Sequence, residues 1–300
     1  MKLQKLFYLC IIAFFSTYSF TQQVPDLSFT YAVKNPAYPE GQGPVVFMDE
    51  GHNNFHKLEG RYSPFAKLLR SDGYVLESST AAITLDHLNR CKIFLISDPM
   101  SDTNESAYKP EEISAMKKWV ENGGSLLLIT DHFPDPPAIS DLARAFGIEV
   151  QNSYVLNSAP GEDVGPIFFR RIDHTLKDHQ ITRGRKGKNE EVKKVVSFTG
   201  CAFRAGRDFI PLMVLGQNKT AWMTKEADKF PPDTPKIDVE GWLQGGVMKS
   251  GRGRMAFFSE AGMFTAQVIN NRIRFGMNTE IGNENPQFLL NLFHWLSGII

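Results

Sequence analysis

Asp49, Glu50, His52 and His56 fall within one short stretch, with Asn53 and Asn54 between the two histidines. Carboxylates and imidazoles this close support two chemistries. They act as general acid and base, because neighbouring charges push their pKa values apart. They also ligate divalent metals. Asp131-His132 repeats the pairing ahead of the turn-rich Phe133-Pro134-Asp135-Pro136-Pro137, and Glu260 precedes Ala261-Gly262. The candidate catalytic set is therefore Asp49, Glu50, His52, His56, Asp131, His132 and Glu260. Asn53 and Asn54 offer amides to a polyol or carboxylate. Trp242, inside Glu240-Gly241-Trp242-Leu243-Gln244-Gly245-Gly246, offers a ring face to a sugar. Each has a structural competitor: Asp49 as a helix cap, the asparagines as left-handed turn residues, the histidines as satisfied loop residues, Trp242 as core.

The elements that must carry these residues are legible for the first half of the chain. Pro44-Val45-Val46-Phe47-Met48 is an apolar run of β-formers ending in Asp49-Glu50, the pattern of a strand buried on both faces. Strands are also expected at Tyr74–Ser78, Lys92–Ser97 and Ser125–Thr130. Ser63-Pro64 starts a helix with a capping residue and a first-turn proline. Pro110-Glu111-Glu112 opens another, with acids in the first turn and Ile113, Met116, Trp119 and Val120 as its stripe. A third is expected over Ala138–Phe146. Alternation of this kind predicts βαβ units and a parallel sheet. Asp49, Asp98, Asp131 and Glu260 would then project from strand ends at the carboxyl edge, where ligands bind in open α/β sheets.

From about 150 to 246 the pattern weakens. Strands are expected at Val195–Phe198, Leu212–Leu215 and Ala221–Met223, as an elaboration of the sheet rather than a second core. Gly246–Lys249 and Arg254–Ser259 read as a hairpin, and Asn285–Leu296 as a closing helix. No repeat or low-complexity tract is visible.

The formal net charge is zero and the hydrophobic content 42%, an ordinary globular composition that gives no reason to expect nucleic acid or an anionic membrane as a partner. Lys2, Lys5 and the apolar Leu6–Phe15 have the form of a signal peptide over residues 1–21. A polar, proline-bearing leader follows over 22–43. The expectation is a periplasmic or secreted protein with no membrane span in the mature chain. Cys91 and Cys201 then remain, either paired or as buried thiols. No Gly-x-Ser-x-Gly or Gly-x-Cys-x-Gly elbow, Walker loop or Gly-x-Gly-x-x-Gly is present, so no nucleotide is expected.

The acid-ended first strand, the run Trp119-Val120-Glu121-Asn122-Gly123-Gly124-Ser125-Leu126-Leu127-Leu128-Ile129 and the late segment from Gly251 to Phe264 together resemble the class I glutamine amidotransferase-like superfamily. The nearest likeness is to its bacterial branch related to gliding-motility and intraflagellar-transport domains. The resemblance spans roughly 44 to 297. It implies one domain over 44–300, a flavodoxin-like three-layer α/β sandwich with a mostly parallel sheet and a β-rich elaboration in the second half. It does not imply amidotransferase activity, because the elbow cysteine and a downstream His-x-Glu are missing.

These readings favour an exported hydrolase or related enzyme acting on a carbohydrate-like small molecule at the carboxyl edge. A divalent metal is left open. The competing readings are a non-catalytic carbohydrate- or ligand-binding module and a scaffold component of the envelope.

Overall fold

A computed structural model describes residues 23–101, 103, 105–157 and 165–300. The expected signal peptide lies outside the described residues. Nine strands form the main sheet: β1 (Val45–Asp49), β2 (Val75–Ser79), β3 (Ile93–Ser97), β4 (Ser125–Ile129), β5 (Ile148–Val150), β6 (Phe203–Ala205), β7 (Ile210–Val214), β8 (Leu243–Ser250) and β9 (Gly253–Phe258). Five of them are parallel, in spatial order β2-β1-β3-β4-β9. Beyond β9 the sheet turns antiparallel through β8, β6 and β5, and β7 also pairs with β8. The fold is mixed α/β: a large sheet with a parallel core, plus smaller antiparallel sheets.

Alternation of side chains along the parallel strands divides the core in two. Val46, Met48, Leu95, Leu127, Ile129 and Phe258 pack on one face with Phe65 and Leu69 of helix α1 (Ser63–Ser71). Phe288, Leu292 and Phe293, from the closing helix Asn285–Ser297, join the same cluster. Phe47, Phe94, Ile96, Leu126, Leu128 and Phe257 pack on the other face. There they meet Met116, Trp119 and Val120 of α2 (Pro110–Glu121) and Leu142 of α3 (Pro136–Ala145). Each fully buried Leu or Phe is worth about 1.5–3 kcal/mol, so β1, β3, β4 and β9 are held from both sides, while the edge strand β2 contributes Leu76 to the first face.

The described part of the expected leader, residues 23–43, is tied to this body. Gln23–Pro25 pairs antiparallel with Ala266–Ile269, and Ala37 N donates to Asp72 Oδ1 at 2.7 Å. The elaboration supplies β5, β6 and β7 to the main sheet and builds separate small sheets. Tyr154–Asn157, Lys219–Trp222 and Lys236–Asp238 form one, and Ile167–Arg170 with Lys194–Ser197 another. Several of these short strands, among them Ile148–Val150, Tyr154–Asn157 and Ile167–Arg170, carry no periodicity long enough to read. Cys91 and Cys201 are both free thiols. Among the described residues no helix is long and apolar enough to cross a membrane.

Candidate functional site

Because β1, β3, β4 and β9 run parallel, their carboxyl ends deliver Asp49, Asp98, Asp131 and Glu260 to one edge of the sheet. Between β1 and β3 the chain order reverses, the place where α/β sheets open a crevice. The loop after β1 crosses it. Asn54 bridges to Pro99, and Phe55 N donates to Asp98 O at 2.8 Å.

Asp49 is the anchor of this loop. Its side chain is 1% exposed and holds His52, whose Nδ1 lies 2.9 Å from Asp49 Oδ1. Oδ2 accepts from the Tyr108 hydroxyl at 2.7 Å and from Asn54 Nδ2 at 3.2 Å. Gly51 N donates to Oδ1 at 3.2 Å. Asp49 therefore orients an imidazole rather than capping a helix. His52 packs against the Tyr108 ring at 4.5 Å and points Nε2 toward Glu112 Oε1, 3.4 Å away. Glu112 is the third residue of α2, and its other oxygen accepts from Lys109 N at 3.1 Å, closing the capping box. Burial works against charge on His52, but the Asp49 hydrogen bond and charge, then Glu112, hold its pKa above the ordinary histidine value.

A second group of acids lies beside it. Asp98 and Glu260 form a buried floor, while Asp131, His132 and Asp135 are half-buried. Asp98 has a left-handed backbone, φ 53, which an L residue adopts at a cost. Burial raises its carboxyl, and the charges of Asp135 and Asp131 raise it further. Asp135 is pushed up to about 7, chiefly by burial and then by Asp131. Glu260 is pushed up to about 8 by burial and then by Asp131. Asp131 is also raised by burial, against opposing contributions from His132 and Thr199. Met263 N donates to Glu260 Oε2 at 2.7 Å, while Glu260 Oε1 and Asp98 Oδ1 find no hydrogen-bond partner among the described residues. Gly200 and Gly262 pack against Glu260 so closely that a Cβ at either would fall within 3 Å of its side chain. Burial and mutual repulsion thus move these carboxyls toward neutral pH and away from the ordinary acid range. Among the described residues no group of three or more His, Cys, Asp or Glu is placed to hold a metal ion.

The remaining candidates have other employment. Glu50 Oε1 accepts from Leu58 N at 2.8 Å and shapes the loop. His56 is buried, stacked on Tyr62 at 4.4 Å, with Nδ1 3.2 Å from Ser97 Oγ. Burial, then the Arg61 charge, depresses its pKa to about 3, so it stays neutral. His132 stacks on Tyr154 at 4.1 Å, and its Nδ1 donates to the Phe133 carbonyl at 2.8 Å. Asn53 adopts the left-handed turn conformation, φ 51, with its carbonyl accepting from Met100 N. Trp242 lies under the Arg204 guanidinium at 4.0 Å and packs on the core.

Three participants escape a sequence reading. Tyr108 and Glu112 flank a helix start, where they look like ordinary N-terminal residues. Asp135 looks like part of a proline-rich turn. Only the fold places Tyr108 against Asp49, Glu112 against His52 and Asp135 against Asp98.

No protein-family model matches the chain, and a comparison with curated proteins finds no match. Solved structures do resemble it. The mmIFT52 N-terminal domain superposes with a TM-score of 0.60 at 15% identity, over 85% of this chain and 97% of that one. The cytoplasmic protein STM3548 from Salmonella typhimurium gives 0.51 at 13% identity, over 84% and 98%. A ThuA-like protein from Bacteroides uniformis gives 0.47 at 16% identity, over 89% and 94%. For the first two, at these identities, the likeness is one of fold.

Proposed function

We propose that this protein is an acid–base enzyme, a hydrolase of a polar, carbohydrate-like small molecule, with its reaction centre at the carboxyl edge of the parallel strands. One observation carries the reading: a buried acid, Asp49, orients the half-buried His52 at the point where the chain order reverses. With Nδ1–H held by Asp49, neutral His52 offers Nε2 as a base. Protonated, it is a general acid poised between Asp49 and Glu112. Such proton transfer contributes about 10²–10⁴-fold to a rate. Asp131 and Asp135, partly exposed and raised in pKa, supply a second group able to give or take a proton.

The order β2-β1-β3-β4-β9, with helices on both faces, supports reading the fold as a flavodoxin-like sandwich of the class I glutamine amidotransferase-like type. Residues 44–300 then form one domain with an inserted elaboration. The amino-terminal Lys2, Lys5 and Leu6–Phe15 support export to the periplasm or beyond. Amino-terminal sequencing of protein from fractionated cells tests that.

The test of activity is a panel of chromogenic glycosides and esters, with wild type and His52→Gln compared. Turnover that falls at least about a hundredfold in the variant supports the proposal. Turnover unchanged by the substitution removes His52 from the chemistry. A second reading, a ligand-binding module, is favoured by the His132–Tyr154 stack, a flat platform beside Asp131. Sugar binding by calorimetry without turnover on any substrate selects it.

A further inference from the structure

The antiparallel pair Ile167–Arg170 and Lys194–Ser197 buries Ile167, Phe169, Val195 and Val196 against the body. Cations and one exposed aliphatic side chain gather at the end of this pair. Arg170 pairs in register with Lys194, and its guanidinium lies 4.8 Å over the Phe168 ring. Just past the strand, Ile172 is 87% exposed. A groove of about 390 Å³ beside it is lined by Arg170, Arg171, Ile172, Glu191, Lys193 and Lys194. From Arg170 to Lys194 the chain carries nine Lys or Arg against four Asp or Glu, in a protein with no net charge.

The acids of this segment are already engaged. Asp178 pairs with Arg171 and Arg183, and Glu190 with Arg185. Asp173 accepts from Thr175 at 2.6 Å, and Glu191 lies 3.7 Å from Lys193. Lys193 faces Glu191, and Glu284 Oε2 accepts from the Lys193 and Lys194 amides at 2.6 and 3.2 Å; the Arg170 and Lys194 side chains have no ion-pair partner among the described residues and line the groove with the protruding Ile172.

We propose that this face docks the protein on an anionic lipid surface, with Ile172 entering the headgroup layer and Arg170, Lys193 and Lys194 meeting lipid phosphates. Charge complementarity alone would suit any polyanion in water. A polyanion, however, offers nothing to an isoleucine held out at 87% exposure. A bilayer interface satisfies both the cations and the hydrocarbon.

The test is co-sedimentation of the full chain with phosphatidylcholine vesicles, alone and with about one-third phosphatidylglycerol. Binding should require the anionic lipid and weaken as salt is raised. The double variant Lys193→Glu/Lys194→Glu should lose about tenfold or more in partitioning. Ile172→Asp should lose at least about fivefold, through lost apolar burial and an added negative charge. Lys117→Glu, on the exposed side of α2, should change little. Three results would each overturn the proposal: no binding to the anionic vesicles, equal binding to both compositions, or Ile172→Asp binding like wild type. Heparin separates a polyanion site from a lipid site: affinity for heparin that survives Ile172→Asp while vesicle binding falls supports the lipid surface.

Discussion

His52 Nδ1 lies 2.9 Å from Asp49 Oδ1, and the acid is 1% exposed where the imidazole is 15% exposed. The buried partner fixes the ring, and the partly open one can meet a substrate. Tyr108, Asn54 and the Gly51 amide fill the other acceptor sites of Asp49, so its carboxylate has little freedom to turn away.

Replacing Asp49 by Asn keeps the shape and removes the charge. The His52 pKa, held up by that charge against burial, should drop below the ordinary histidine value. An NMR titration of the His52 ring protons measures this directly. The raised pKa of the wild-type ring stabilises the fold below about pH 6.5, and this contribution is lost as pH rises through the folded value. Asp49→Asn should therefore cost more stability at pH 6 than at pH 9.

The acids behind His52 titrate with the same sign. Asp135 at about 7 and Glu260 at about 8 lie far above unfolded carboxyls, so the folded chain binds more protons than the unfolded one. Their contribution is complete below about pH 4 and is lost as pH rises through 7 and 8. Urea midpoints should fall between pH 5 and 9, and Glu260→Gln should flatten the upper part of that fall. A wild-type midpoint that is level across this range would contradict the assignment.

His56 acts in the opposite direction. Its folded pKa of about 3 lies below the unfolded value, so its neutral form stabilises the fold above about pH 6.5. That stability is lost as pH falls toward 3. His56→Gln, which cannot charge, should unfold at a lower pH than wild type relative to its own stability at pH 7. Acid titration followed by circular dichroism reports it.

Gly253 opens β9 where that strand passes the end of α2. A Cβ there would stand 2.0 Å from the Val120 carbonyl oxygen and 2.2 Å from that of Gly124, both backbone. Gly253→Ala should cost about 1–3 kcal/mol or more, seen as a lowered denaturant midpoint with an unchanged slope.

The four acid-ended strands were readable because each is a continuous apolar run closed by a charge, and parallel pairing brings their tips to one edge. That pattern places Asp49, Asp98, Asp131 and Glu260 at the edge from sequence alone. Asp98 read only as a strand end before Pro99, because nothing in its neighbourhood announces Asp135. Tyr108 and Glu112 were hidden by a local role: Glu112 does cap its helix, and only its second oxygen reaches His52. The elaboration was harder for another reason. Its strands are three to five residues long and pair with distant partners, as Phe203 does with both Val150 and Leu243. Local pattern holds little information about such pairings.

Strand β9 sits against β4 in the middle of the sheet, Arg254 opposite Ser125 and Phe258 opposite Ile129, yet it is made long after its partner. While the ribosome is still producing the intervening segment, β4 has an open backbone edge flanked by Leu126, Leu127 and Leu128. A nascent chain in that state is a natural client for a holding chaperone, and truncation before residue 253 should yield insoluble material rather than a smaller working unit.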